Sequence, residues 1–73
     1  MNINKMLPNI KENIIKVFSN KKVIIENYHF LDTLSKEKIR LKQYEIFGEN
    51  LYIKRMDGYI IEIEGTIERI TFM

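Results

Sequence analysis

From Lys22 to Phe72, short runs of Ile, Val, Leu, Tyr and Phe alternate with charged residues, and Asn or Gly interrupts them about every eight to twelve positions. Val23-Ile24-Ile25-Glu26, Ile39-Arg40-Leu41-Lys42, Leu51-Tyr52-Ile53-Lys54 and Ile61-Glu62-Ile63-Glu64 are the clearest runs. Alternation of period two sends one set of side chains to each face of a strand, so these runs predict half-buried β-structure. The expectation is one all-β domain over residues 1–73, with a short helical or irregular segment over 1–12 and a sheet over 13–73.

Strands are predicted over 13–18 and 22–28, joined by a turn at Ser19-Asn20. Residues 9–18 are ambiguous, because Ile3, Leu7, Ile10, Ile14 and Phe18 fall at helical spacing while Ile15 and Val17 favour a strand. His29 to Leu34 reads as a connection holding one short strand, and Ser35-Lys36-Glu37-Lys38 as a polar turn. A strand over 38–46 changes apolar parity near Gln43, which predicts a bulge or bend. Gly48-Glu49-Asn50 reads as a turn, and Asp57-Gly58 as a two-residue hairpin joining antiparallel strands 51–56 and 59–64. Gly65 interrupts the last run, where parity shifts from Ile61 and Ile63 through Ile67 to Ile70 and Phe72, so a kink is expected there. Connections this short are incompatible with parallel crossovers in one sheet. The architecture expected is therefore a small antiparallel meander or roll of five to six strands, with a short β-solenoid-like stack as the alternative.

Size narrows the picture further. A chain of 73 residues buries only about 60% of its unfolded surface and keeps a stability margin of about 3–5 kcal/mol. With no cysteine and a single histidine, neither disulfides nor a zinc cluster can supplement it. Self-association is the device left. No apolar run approaches the roughly 20 residues that cross a bilayer. Residues 1–8 lack the apolar segment and cleavage site of a secretory signal, so a cytoplasmic location is expected.

The net charge of +2 is too small to name nucleic acid as a partner, but its distribution is uneven. Residues 21–42 carry five Lys, one Arg, two Glu and one Asp, whereas residues 43–73 carry one Lys, two Arg, five Glu and one Asp. Such halves pair with each other inside one chain or across copies. Lys36, Lys38, Arg40 and Lys42 share a parity and predict a basic stripe, which Tyr52 and Lys54 on the next strand would extend into a surface for an anionic membrane or single-stranded nucleic acid. Pairing of the stripe with Glu62 and Glu64 is the plainer expectation.

No catalytic constellation, cofactor site or metal site emerges. His29 is the only imidazole, with no activated nucleophile beside it, and Glu62, Glu64 and Glu68 read as a solvated face. Strand 66–72, with Ile67, Ile70, Thr71 and Phe72, is the expected exposed edge for a partner strand.

Val23-Ile24-Ile25-Glu26-Asn27-Tyr28, Ile39-Arg40-Leu41-Lys42, Gly48-Glu49-Asn50-Leu51-Tyr52-Ile53-Lys54 and Ile63-Glu64-Gly65-Thr66-Ile67-Glu68-Arg69-Ile70-Thr71-Phe72 together carry a resemblance. In this order and spacing they resemble the YabP/YqfC family of bacterial sporulation proteins, over roughly residues 8–73. The chain departs from that pattern at Phe18-Ser19-Asn20, where the family has a turn-like Ile-Gly-Asn, and near Tyr44, where the family has a Gly that this chain lacks. The resemblance implies a non-enzymatic role in endospore development, at the engulfment, cortex or coat stage, through contacts with other copies and other sporulation proteins. It implies a place in the sporulating cell, at the forespore surface, and no catalytic residues.

Overall fold

A computed structural model describes residues 14–72. The N-terminal segment 1–12 and the first residue of the predicted strand 13–18 lie outside the described residues. The remainder is all-β: β1 (Ile14–Phe18), β2 (Lys22–Glu26), β3 (Leu31–Leu34), β4 (Lys38–Leu41), β5 (Tyr44–Met56) and β6 (Ile60–Phe72). They form one sheet in the order β1-β2-β6-β5-β4-β3, with every neighbouring pair antiparallel. This is the antiparallel roll rather than the solenoid.

The framework is the β5–β6 hairpin, two strands of 13 residues each. β2 pairs only with residues 60–64 of β6, and β4 only with residues 45–47 of β5. One half-sheet is therefore β1, β2 and the turn end of the hairpin. The other is β3, β4 and its open end.

A strand of 13 residues runs about 40 Å if straight, at roughly 3.3 Å per residue. β2 ends level with Ile60 at one end of β6, and β3 starts beside Leu41, near Tyr44 and Phe72 at the other. Residues 27–30 must join these points, yet such a link reaches only about 17 Å. The ribbon must fold back on itself. The link ties the two ends together: Asn27 N–H donates to the Tyr59 carbonyl at 2.7 Å, the Tyr28 hydroxyl donates to the Asp57 carbonyl, and Lys42 N–H donates to the His29 carbonyl at 3.1 Å.

The bend lies mid-hairpin, and its residues explain it. Gly65 has φ +138 and Asn50 has φ +53, conformations that favour Gly and Asn. A Cβ at Gly48 would lie 2.0 Å from the Thr66 carbonyl oxygen, and one at Gly65 would lie 2.6 Å from the Asn50 carbonyl oxygen. The backbones meet where only hydrogen fits. Register shifts between Phe47 and Gly48, and between Glu49 and Tyr52, mark the same place. The expected turn at Gly48-Glu49-Asn50 is thus a bulged bend inside a continuous strand, and the expected kink at Gly65 is its counterpart.

Folding brings the inner faces together. Val23, Ile25, Ile61 and Ile63 from one half join Ile39, Leu41, Tyr44 and Ile46 from the other, with Leu51 and Ile67 at the bend, in one buried cluster. Parity dictates this, because Val23 faces Ile63, Ile25 faces Ile61 and Ile39 faces Ile46 across the strands. Truncating one such side chain to Ala removes about 2–5 kcal/mol, comparable with the whole margin of so small a domain.

The parity change near Gln43 has a different origin from the one expected. Leu41 and Tyr44 are both buried because a tight turn at Lys42-Gln43 separates β4 from β5, so 38–46 is a hairpin and not one bulged strand. The β5–β6 turn also works differently. Its conformation rests on the Asp57 carboxylate, which accepts from the N–H groups of Tyr59 at 2.7 Å and Ile60 at 2.8 Å, and positive φ at Gly58 plays no part. The Ile60 and Tyr59 amides, helped by Arg55, hold the Asp57 carboxyl below its ordinary value of 3.8. Its contribution to the turn is present above that value and is lost as pH falls through the lower folded value.

The three glycines are therefore unequal. Gly48→Ala and Gly65→Ala should each lower stability by about 2 kcal/mol or more, because backbone must move. Gly58→Ala meets nothing within 4 Å and should stay within about 0.5 kcal/mol of the parent. Denaturant midpoints check this, and equal losses at all three positions would contradict the bend.

Candidate interaction surfaces

The predicted basic stripe divides. Lys38 and Arg40 lie on the outer face of β4, but each is engaged: Lys38 Nζ lies 3.6 Å from Glu45, and Arg40 Nε lies 3.6 Å from Asp32. Glu62 and Glu64, the expected partners, are in the other half-sheet. Lys36 lies in the β3–β4 turn, where its carbonyl accepts from Leu51 N–H at 2.9 Å, and exposed Lys42 lies in the β4–β5 turn. Tyr52 and Lys54 do not extend the stripe. They lie past the bend of β5, where the neighbouring strand is β6, so the fold separates them from Lys38 and Arg40.

On the outer face of the first half-sheet, one rung reads Phe18, Lys22, Glu64, Tyr52 across β1, β2, β6 and β5. Lys22 Nζ stands 5.2 Å from the Phe18 ring centre and 3.7 Å from Glu62, which also meets Arg55 at 3.6 Å. The Tyr52 hydroxyl donates to the Glu64 carboxylate. Phe18, Lys22, Glu64 and Tyr52, with Asn50 and Gly65 at the bend, line an open depression. Glu62 and Glu64 are thus committed to neighbouring side chains, and Glu62, with a side chain only 13% exposed, is less solvated than the charged face expected. Opposite charges from the basic and acidic halves of the chain meet inside one molecule, in Lys22 with Glu62 and Lys38 with Glu45.

The bond to Glu64 favours the neutral phenol. Partial desolvation and the charges of Glu64 and Glu62 act the same way, so Tyr52 is raised above its ordinary value of 10.0. Because the folded value exceeds the unfolded one, this interaction stabilises the fold fully below about pH 10 and is lost as pH rises through the folded value.

The predicted edge 66–72 belongs to β6, an interior strand in the sheet order, and keeps an open flank only past Ile67. Ile67 itself is buried. Thr71 pairs with Glu45, and the Phe72 ring packs edge-on against Tyr44 at 5.2 Å. The pairing of β2 ends at Glu64, and the Gly65 and Ile67 N–H groups donate to the Lys21 and Asn20 carbonyls, so the flank beyond Ile67 has no strand beside it among the described residues.

The outermost strands are β1 and β3, and among the described residues the flanks of β5 over Tyr52–Met56 and of β6 past Ile67 also have no strand beside them. β3 has four residues, a register break between Leu31 and Thr33, and an exposed Asp32. Phe30 before it is 75% exposed with φ +44, strained for an aromatic residue. β1 pairs with β2 in unbroken register over all five residues, and Ile14, Val17 and Phe18 are exposed. The sequence signal for β1 as the edge was the run Ile14-Ile15-Lys16-Val17-Phe18 itself, which places apolar groups on both faces where a half-buried strand alternates. His29 is exposed and contributes its backbone carbonyl to the fold.

Compared with known proteins, the chain matches no family model, no curated protein and no solved structure. Among the described residues, no helix is long and apolar enough to cross a membrane.

Spectrophotometric titration should find Tyr52 ionising above free tyrosine, and Glu64→Gln should bring it down. A titration curve unchanged by Glu64→Gln would contradict the rung.

Proposed function

We propose that this chain is a non-enzymatic contact module of endospore development, with a structural or morphogenetic role at the engulfment, cortex or coat stage. The observation that carries the reading is where the motif residues sit. Asn27, Asn50 and Gly65, from three of the four runs that resemble the YabP/YqfC family, are the positions with φ +57, +53 and +138. Of the two remaining positive-φ residues, Ser19 with φ +55 stands where the family pattern has Gly, and Phe30 with φ +44 lies outside the runs. The residues at motif positions set turns and the bend, so the shared pattern encodes a backbone path and not merely a generic strand alternation.

The surface supports contact over chemistry. Its outer-face charges are largely paired with each other, and its apolar exposure is concentrated at strand edges and turns. A fluorescent fusion expressed in a sporulating endospore former should concentrate at the forespore, and loss of the chain should reduce heat-resistant spores without slowing vegetative growth. Uniform distribution with normal spore counts would refute the proposal.

A second reading, adhesion to an anionic membrane or to nucleic acid, draws on Lys42 and Arg40, which line an open groove with Phe30. The Arg40–Asp32 pair weakens it. If it holds, Arg40→Glu with Lys42→Glu should abolish a steeply salt-dependent binding to anionic vesicles or oligonucleotides. Binding that is unchanged in the double variant dismisses it.

A further inference from the structure

We propose that β1 is a self-recognition edge: a second copy of this chain adds its own β1 antiparallel, pairing Ile14 with Phe18, Ile15 with Val17 and Lys16 with Lys16 across a two-fold axis. The inference rests on the contact-module reading and names the partner as another copy. Its basis is the strand's polarity pattern. Ile14-Ile15-Lys16-Val17-Phe18 reads apolar, apolar, cation, apolar, apolar in both directions. Antiparallel self-pairing therefore matches apolar to apolar on both faces at once.

The faces are fixed by the pairing within one chain. Ile15 and Val17 lie opposite Ile25 and Val23 and so share the core side, while Ile14, Lys16 and Phe18 share the outer side. Val17 is 53% exposed and Phe18 45% exposed. A neighbouring Ile15 and Ile14 would cover them. No strand lies outside β1 among the described residues, so its outward N–H and C=O groups are available for a ladder. β1 also lacks the bulge and the acidic residue that protect β3.

The objection to this register is the pair of lysines. Each Lys16 Nζ already sits 2.9 Å from Glu26 of its own chain, so two ammonium groups meet flanked by two carboxylates and the cluster is neutral. A heterologous pairing of β1 with β3 would set Lys16 near Asp32, but it meets the register break in β3 and leaves both ends open to growth. The two-fold arrangement closes. A five-residue strand pair buries well under the roughly 1,200 Å² of a standard interface, so the dimer is weak, forming at high micromolar to millimolar concentration.

The chain has no cysteine, so single cysteines report proximity cleanly. Under mild oxidation of concentrated protein, Lys16→Cys should form a covalent dimer roughly tenfold faster than Lys54→Cys on β5, because only facing residues meet disulfide geometry. Ile14→Cys should cross-link to Phe18→Cys in a mixture but not to itself. Adding Val17→Lys, at an exposed position, to Lys16→Cys should abolish cross-linking while circular dichroism stays unchanged. Glu26→Gln should weaken association about two- to fivefold by uncovering the lysine pair. Equal rates for Lys16→Cys and Lys54→Cys, or rapid self-linking of Ile14→Cys, overturn the proposal. A strictly monomeric chain whose β1 amides are nonetheless protected from exchange assigns the edge to the chain's own preceding residues and also overturns it. Should cross-linking fail while the fusion still gathers at the forespore, the contact-module reading stands and β1 self-pairing falls.

Discussion

Two backbones touch at the middle of the β5–β6 hairpin, and the rest of the molecule depends on that contact. With a Cβ at Gly48 placed 2.0 Å from the Thr66 oxygen, and one at Gly65 2.6 Å from that of Asn50, no other residue pair fits there without displacement. The close approach folds a ribbon that would otherwise be about 40 Å long, and folding superposes the two apolar faces. A straight hairpin would leave the Ile61/Ile63 and Ile39/Ile46 faces in water. Burial of the core is thus a consequence of the bend, and the link over 27–30, with hydrogen bonds to both ends, secures it.

That economy shapes the surface. A domain of this size spends its large aliphatic side chains on the inside of the fold, and pairs its outer charges rung by rung, as in Lys22–Glu62–Arg55. Exposed pairs of this kind contribute little stability, about 0–1 kcal/mol each, but they neutralise the faces. The edges are left as the places where the molecule is incomplete. β3 is short, broken and acidic, and β1 is regular and apolar on both sides. Among these, β1 is the open edge whose register with its neighbour is unbroken over all its residues.

Much of this was legible in the residues. Period-two alternation identified β2 and the strands on either side of Asp57-Gly58, because Val23, Ile25, Ile61 and Ile63 are buried on one face while their neighbours are not. Ser19-Asn20 announced the β1–β2 turn, and Gly65 announced the kink. Other features were hidden for identifiable reasons. Leu41 and Tyr44 gave the same parity break whether a bulge or a two-residue turn lay between them. The run 66–72 read as an edge along its whole length, but β6 returns between β2 and β5, so chain order and sheet order differ and only the part past Ile67 keeps an open flank. Local pattern carries no information on that return. The basic stripe failed likewise: Lys38 and Tyr52 appeared adjacent only if β4 met the far half of β5, which the bend prevents.

Bending completes the core, and we propose that it leaves β1 as the edge through which copies meet. In backbone amide NMR spectra over a concentration series, Ile14 to Phe18 should then shift and gain exchange protection as concentration rises, while Leu31 to Leu34 and residues 68–72 should not. Concentration-dependent shifts confined to β3 or to the C-terminal flank, or none anywhere, would contradict that role for β1.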